Sequence, residues 1–193
     1  MACLLVKENR SRETPRMIAM PFTRIPPGRL RRLALPVFVV YLLAWLPFLL
    51  VGEPGEMVRL QLAGSESRAD EIVAGWSHAE VVDMAFLQGV DEVHLLTYGV
   101  LLAVAAVWAG RRFRGRAAQW ASVVAWVALA AAVFDAVENV GMIVMIRGDV
   151  DAPVPTITTT FAVAKSSMFF VVLPYLVAGF VAGLRGRHGL KTG

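Results

Sequence analysis

Four apolar runs constrain this chain more than any other feature of its sequence. They lie at about 33–51, 81–108, 117–146 and 157–184. A membrane-crossing helix needs about 20 residues at 1.5 Å rise to span ~30 Å of hydrocarbon. The last three runs exceed that length, so they can tilt or project beyond the bilayer. Composition agrees: 57% of the 193 residues are apolar and the mean hydropathy is +0.61. Soluble domains sit nearer 45–50% on a similar count.

Charge is segregated along the chain. Residues 1–32 hold eight Lys/Arg and two acids, whereas residues 52–92 hold nine acids and two Arg. Between the second and third runs stands RRFRGR, residues 111–116, and Arg185, Arg187 and Lys191 follow the fourth. Nucleic-acid binding would need the basic groups on one solvated face with aromatic residues interleaved. Here they bracket apolar runs, as positively charged cytoplasmic flanks do. Four spans with both termini cytoplasmic satisfy every connection at once, which predicts a multi-pass protein of the cell (inner) membrane. The single cysteine, Cys3, rules out an intramolecular disulfide and a thiolate zinc site.

The N-terminal stretch does not read as a cleaved signal peptide. ACLLV is short for an apolar signal core, and Arg10, Arg12 and Arg16 follow it. The first run reads as an uncleaved signal-anchor helix, with Met17 or Met20 as alternative starts. Pro36 falls near the first turn of that helix, where proline is tolerated, and Pro47 should kink or end it. The expected organisation is a basic tail over 1–32, a membrane domain over 33–184 with an outer connection at 52–80, and a basic tail over 185–193.

In the outer connection, MVRLQL alternates apolar and polar residues, which fits a short strand or an interfacial segment. Ser67 with Asp70 resembles a cap for a small amphipathic helix carrying Ile72, Val73 and Trp76. Ser77 with Glu80 forms a second capping box, which should start the helix of the second span.

Polar residues inside the spans need an explanation. Asp135, Glu138 and Asn139 stand at i, i+3 and i+4 in the third span, so they share one helical face. Lys165 and Ser166 lie in the fourth. Asp91, His94 and Tyr98 follow a three-then-four spacing on one face of the second. Counted from the outer end at helical rise, the third-span group lies roughly 10–17 Å deep, Lys165 about 13–14 Å and His94 roughly 13 Å. An unpaired charge at a span centre costs ~2.5–3.5 kcal/mol on insertion scales. These groups are therefore expected to face one another between spans two, three and four. Lys165 should pair with Asp135 or Glu138. One amine cannot neutralise Asp91, Asp135 and Glu138 together, so at least one carboxyl should carry or share a proton, or meet water.

Several chemistries stay open for this cluster. It can be an interhelical clamp, with Asn139 and Tyr98 only bonding across helices. A lipid-directed hydrolase or isomerase could use Glu138 or Asp135 as general acid/base and Lys165 as electrophilic stabiliser. No serine stands in a nucleophile-elbow pattern, and Ser166 points away from its neighbour Lys165. One deep imidazole among carboxylates with a competing lysine is a poor metal set, so no metal and no cofactor is expected. Proton-coupled transport could use the same groups, although no inverted repeat is visible. The leading expectation is a non-enzymatic role in which the cluster binds a ligand or partner or fixes the packing. The runner-up is the outer-leaflet enzyme with Glu138 as acid/base.

LQLAGSESRADEIVAGW, Asp91 seven residues before Tyr98, FDAVENV, and TTTFAVAKSS carrying Lys165 together resemble a group of small four-helix bacterial inner-membrane proteins. The resemblance covers roughly residues 58–165. Its most specific part is the D-x-x-E-N element followed by a lysine in the next span. This sequence departs from the group at VHLLTY, where aromatics and a proline would precede the tyrosine. The resemblance implies the topology and the residue set, and no activity. The expected fold is thus an all-α integral membrane four-helix bundle with a small amphipathic extracytoplasmic segment. Its expected partners are membrane lipids and a lipid-like ligand or partner membrane protein, with oligomer formation open and nucleic acid excluded.

Overall fold

A helix that is apolar on every side needs apolar surroundings, and four helices of this chain are of that kind. The computed structural model describes residues 21–22, 25–51 and 54–188. Its helices, in order, are α1 (Pro27–Ala44), α2 (Leu46–Leu50), α3 (Pro54–Gln61), α4 (Glu66–Ala74), α5 (His78–Gly110), α6 (Arg116–Ile146) and α7 (Val154–His188). The chain is all-α, with no strand among the described residues. Among the described residues, four stretches are long and apolar enough to cross a membrane: Gly28–Leu50, His78–Gly110, Arg116–Ile146 and Val154–Leu184. They make this a multi-pass membrane protein. The expectations about Cys3, the alternative starts Met17 and Met20, the signal-anchor flank and Lys191 fall outside the described residues.

Local sequence explains the start of α5 and the break between α1 and α2. Ser77 Oγ accepts from the Glu80 amide while the Glu80 carboxylate accepts from the Ser77 amide, at 3.3 and 2.6 Å. This reciprocal cap starts α5 as expected. Pro47 stands at the second residue of α2, where no helical N–H is needed, and α1 has already ended at Ala44. Two readings are corrected. α1 begins at Pro27, so Pro36 is an interior residue and not a first-turn one. α4 begins after Ser65, and Ser67 lies inside its first turn.

MVRLQL is not a strand: residues 57–61 form the end of α3, and Leu62 stands in the turn that follows. Six residues of alternating pattern cannot outweigh a proline start and the burial that the helix achieves. Leu60 is fully buried in a cluster with Ile72 of α4, Met84 and Leu87 of α5, and Met142 and Met145 of α6. The Glu56 carboxylate takes an ion pair from Arg59 at 2.7 Å and a hydrogen bond from the Trp76 indole N–H at 3.2 Å. Both partners stabilise its charged form and hold its carboxyl below the usual range, Arg59 more than Trp76.

The α3–α4 pair is fastened to the start of α7. Thr159 Oγ1 donates to the Gln61 carbonyl and accepts from the Gly64 amide, both at 2.9 Å. Thr156 donates to the Gly64 carbonyl at 3.0 Å. Gly64 has φ +72°, a conformation that glycine adopts without Cβ strain. Three backbone groups of a sharp turn are thereby satisfied by two threonines.

The long helices approach closely where small residues meet. A Cβ on Gly99 would strike Ala132, one on Gly110 would strike Ala121, and one on Gly141 would strike Thr158. Gly179 meets Ala109 in the same way. Ala128 and Ala131 are fully buried. In hydrocarbon, where water gives helices no reason to associate, such contact surfaces supply much of the packing energy. α5, α6 and α7 form the packed body of the bundle, and α1 leans on α5.

Candidate functional site

The polar residues of three spans converge. On α6, Asp135, Glu138 and Asn139 are all buried. Lys165 Nζ reaches from α7 to Asp135 Oδ1 at 2.6 Å and to Glu138 Oε2 at 2.7 Å. Its ammonium thus bridges both carboxylates. The Tyr98 hydroxyl donates to the other Asp135 oxygen at 2.7 Å. One turn away, Asn139 Nδ2 donates to Asp91 Oδ2 at 2.9 Å, and His94 Nδ1 faces Asp91 Oδ1 at 3.5 Å. The depths counted from sequence place these groups at one height, and their side chains meet there. Ser166 is exposed and turned away from Lys165.

The first span joins the site, which sequence reasoning placed between spans two, three and four alone. Tyr41 stacks on the His94 ring at 4.7 Å, with an interplanar angle of 16°. Trp45 meets its edge at 4.9 Å, and Phe48 and Tyr98 complete an aromatic surround at 6.2 and 5.8 Å. The spacing of Tyr41, Trp45 and Phe48, four then three, puts them on one face. That spacing was visible in the sequence, but aromatic residues in an apolar run read equally well as lipid-facing.

A second addition is Gln88. It lies three residues before Asp91 on α5 and is 1% exposed. Neither of its amide atoms has a hydrogen-bond partner among the described residues, and the same holds for His94 Nε2. Gln88 shares the face of Asp91, which was the available signal; an uncharged side chain in an apolar helix raised no alarm.

The cluster borders a cavity of about 1260 Å³, larger than the ~300–1,000 Å³ of ordinary small-molecule sites. Along α5 its lining runs from Gln88 to Trp108, roughly 30 Å at helical rise, which equals the hydrocarbon thickness. α5 and α6 form its floor. One wall is the face of α1 from Gly28 through Leu35, Phe38 and Tyr41, continued by Phe48 of α2; the other carries Lys165, Phe169 and Leu173 of α7. Leu35 is 66% and Leu173 49% exposed, so the cleft opens sideways between α1 and α7. The polar groups occupy the end nearest α3, where Met57 and Gln61 close it; the rest of the lining down to Trp108 and Arg32 is mainly apolar.

Chemically, the arrangement combines a clamp with an accessible pocket. Lys165, Asp135 and Glu138 hold α6 to α7, and the same three residues line the cavity. Among the described residues, no three His, Cys, Asp or Glu side chains are grouped to hold a metal ion. No known family, curated protein or solved structure matches the chain.

Proposed function

We propose that this protein binds a membrane amphiphile in the lateral cleft, with the polar head against the Asp91–Lys165 cluster and the apolar chain running toward Trp108. One observation carries the reading: the cleft is as long as the hydrocarbon layer, with the buried polar cluster at one end, a mainly apolar run beyond it, and the exposed Arg32 at the far rim. An apolar ligand alone would leave the polar end unmatched, and a compact polar ligand would leave most of the lining unused. In this reading the α3–α4 cap faces away from the cytoplasm and both termini lie in the cytoplasm of a bacterial cell, because the arginine-rich 111–116 turn and the basic flanks share the opposite end. The D-x-x-E-N element and Lys165 support a kinship with the small four-helix bacterial inner-membrane group that the sequence resembles. Its partners are membrane lipids, the bound amphiphile among them.

A second reading uses the same site. Glu138 lines the cavity and contacts Lys165, so it stands where a general acid/base of a lipid-directed enzyme would act on a bound head.

Mass spectrometry of the protein purified in mild detergent tests both readings. The wild type is expected to retain a defined amphiphile at about one per chain. Leu101→Trp, which fills the apolar part of the cleft, should remain folded and lose it. Equal, non-stoichiometric lipid in both proteins would overturn the binding reading. A species that accumulates only on Glu138→Gln, and that added wild-type protein converts, would make the site catalytic.

A further inference from the structure

Gln88 is the most informative group in the cleft. Burying an amide without partners costs about 1–3 kcal/mol by mutational measures. Its oxygen accepts and its nitrogen donates, so one ligand group satisfies both atoms only if it can donate and accept. A hydroxyl does this; a phosphate oxygen only accepts, and an ammonium only donates.

His94 points the same way. Its Nδ1 lies 3.5 Å from Asp91 Oδ1. In the neutral tautomer with its hydrogen on that nitrogen, Nε2, buried and without a hydrogen-bond partner among the described residues, is an acceptor. Gln88 and His94 stand six residues apart on α5, roughly 9 Å along the helix axis, so a head with more than one hydroxyl can reach both. The charge balance adds a third argument. At the polar end, Asp135 and Glu138 both bind the Lys165 ammonium and Asp91 stands beside them on Asn139, while the other cation of the lining, Arg32, lies at the far end of the cleft. An anionic head would enter beside surplus carboxyls in a medium of low dielectric, where like charges repel strongly.

We infer that the cleft selects an uncharged, hydroxylated head on a long apolar chain, the chemistry of a glyceride or other lipid polyol, read by Gln88 and His94. This rests on the amphiphile-binding reading above and specifies its head.

Three probes with one chain separate the outcomes: octadecylglycerol, octadecylamine and octadecyl phosphate, each titrated against the full-length protein in nanodiscs with thermal stability as readout. Octadecylglycerol is expected to raise the melting temperature saturably and to bind at least about tenfold more tightly than octadecyl phosphate. Gln88→Leu should weaken octadecylglycerol about tenfold and leave octadecylamine unchanged, with the unliganded variant as stable as the wild type or more so. Phosphate binding as tightly as the diol would overturn the head assignment and leave the cleft reading intact. Preference for the amine would show that surplus carboxyls, not Gln88, choose the head, and would also overturn it. Undiminished diol binding by Gln88→Leu would remove Gln88 from the site. If no probe binds, the cleft reading itself falls.

Discussion

Lys165→Glu is expected to leave little folded protein, and adding Glu138→Lys to restore a substantial part of it. Lys165 is 13% exposed and holds two carboxylates that are 5% and 3% exposed. Breaking a buried ion pair from one side costs about 3–5 kcal/mol, because the surviving charge keeps its desolvation penalty and loses its partner. The single substitution also sets a third acid beside Asp135 and Glu138. The exchange returns one cation and two acids to the same space, with the cation now on α6. Asp135 is the poorer exchange partner, because it also accepts from Tyr98. Size-exclusion profiles in detergent read the result: a monodisperse peak largely lost in the single variant and recovered in part by the exchange. Equal loss in both would mean that the ion pair does not hold α6 to α7.

The second large effect lies where α6 and α7 cross. Gly141→Ala should destabilise the protein by about 1–3 kcal/mol, the usual cost of inserting a methyl into packed space. The added Cβ would strike Thr158 Oγ1. Thr158 is 1% exposed, and its hydroxyl donates to the Val154 carbonyl at 2.9 Å, so it has little freedom to turn. Thr158→Ala removes that oxygen, and the remaining approach, Cβ to Cβ at 3.2 Å, needs only a shift of a few tenths of an ångström. The double variant should therefore melt above Gly141→Ala alone. Strictly additive melting temperatures would show that the two helices do not touch at this pair.

The sequence announced the fold through energies too large to hide. Four apolar runs must be buried in something apolar, and the buried carboxylates Asp135 and Glu138 with Lys165 had to meet. Reciprocal capping by Ser77 and Glu80 was equally plain, because it uses two specific side chains at a fixed spacing. What stayed hidden costs less or is ambiguous. Gln88 is uncharged, and its penalty shows only once both amide atoms are seen without partners. Tyr41, Trp45 and Phe48 could face lipid or a neighbour, and only the packing of α1 on α5 decides. The alternating pattern of MVRLQL leaves a strand and an interfacial segment open, and the strand is excluded only by the helical burial of Leu60 against α4, α5 and α6, through contacts distant in sequence. The cleft itself is a property of how far α1 stands from α7, which no local pattern encodes.

Charged groups inside the membrane must meet one another, and solid-state NMR in lipid bilayers measures this directly. With lysine side-chain nitrogen and carboxyl carbons isotopically labelled, Lys165 Nζ should show dipolar coupling to the carboxyl carbons of both Asp135 and Glu138, as N–O separations of 2.6 and 2.7 Å require. Coupling to neither carboxyl would contradict the ion pair and, with it, the polar end of the cleft.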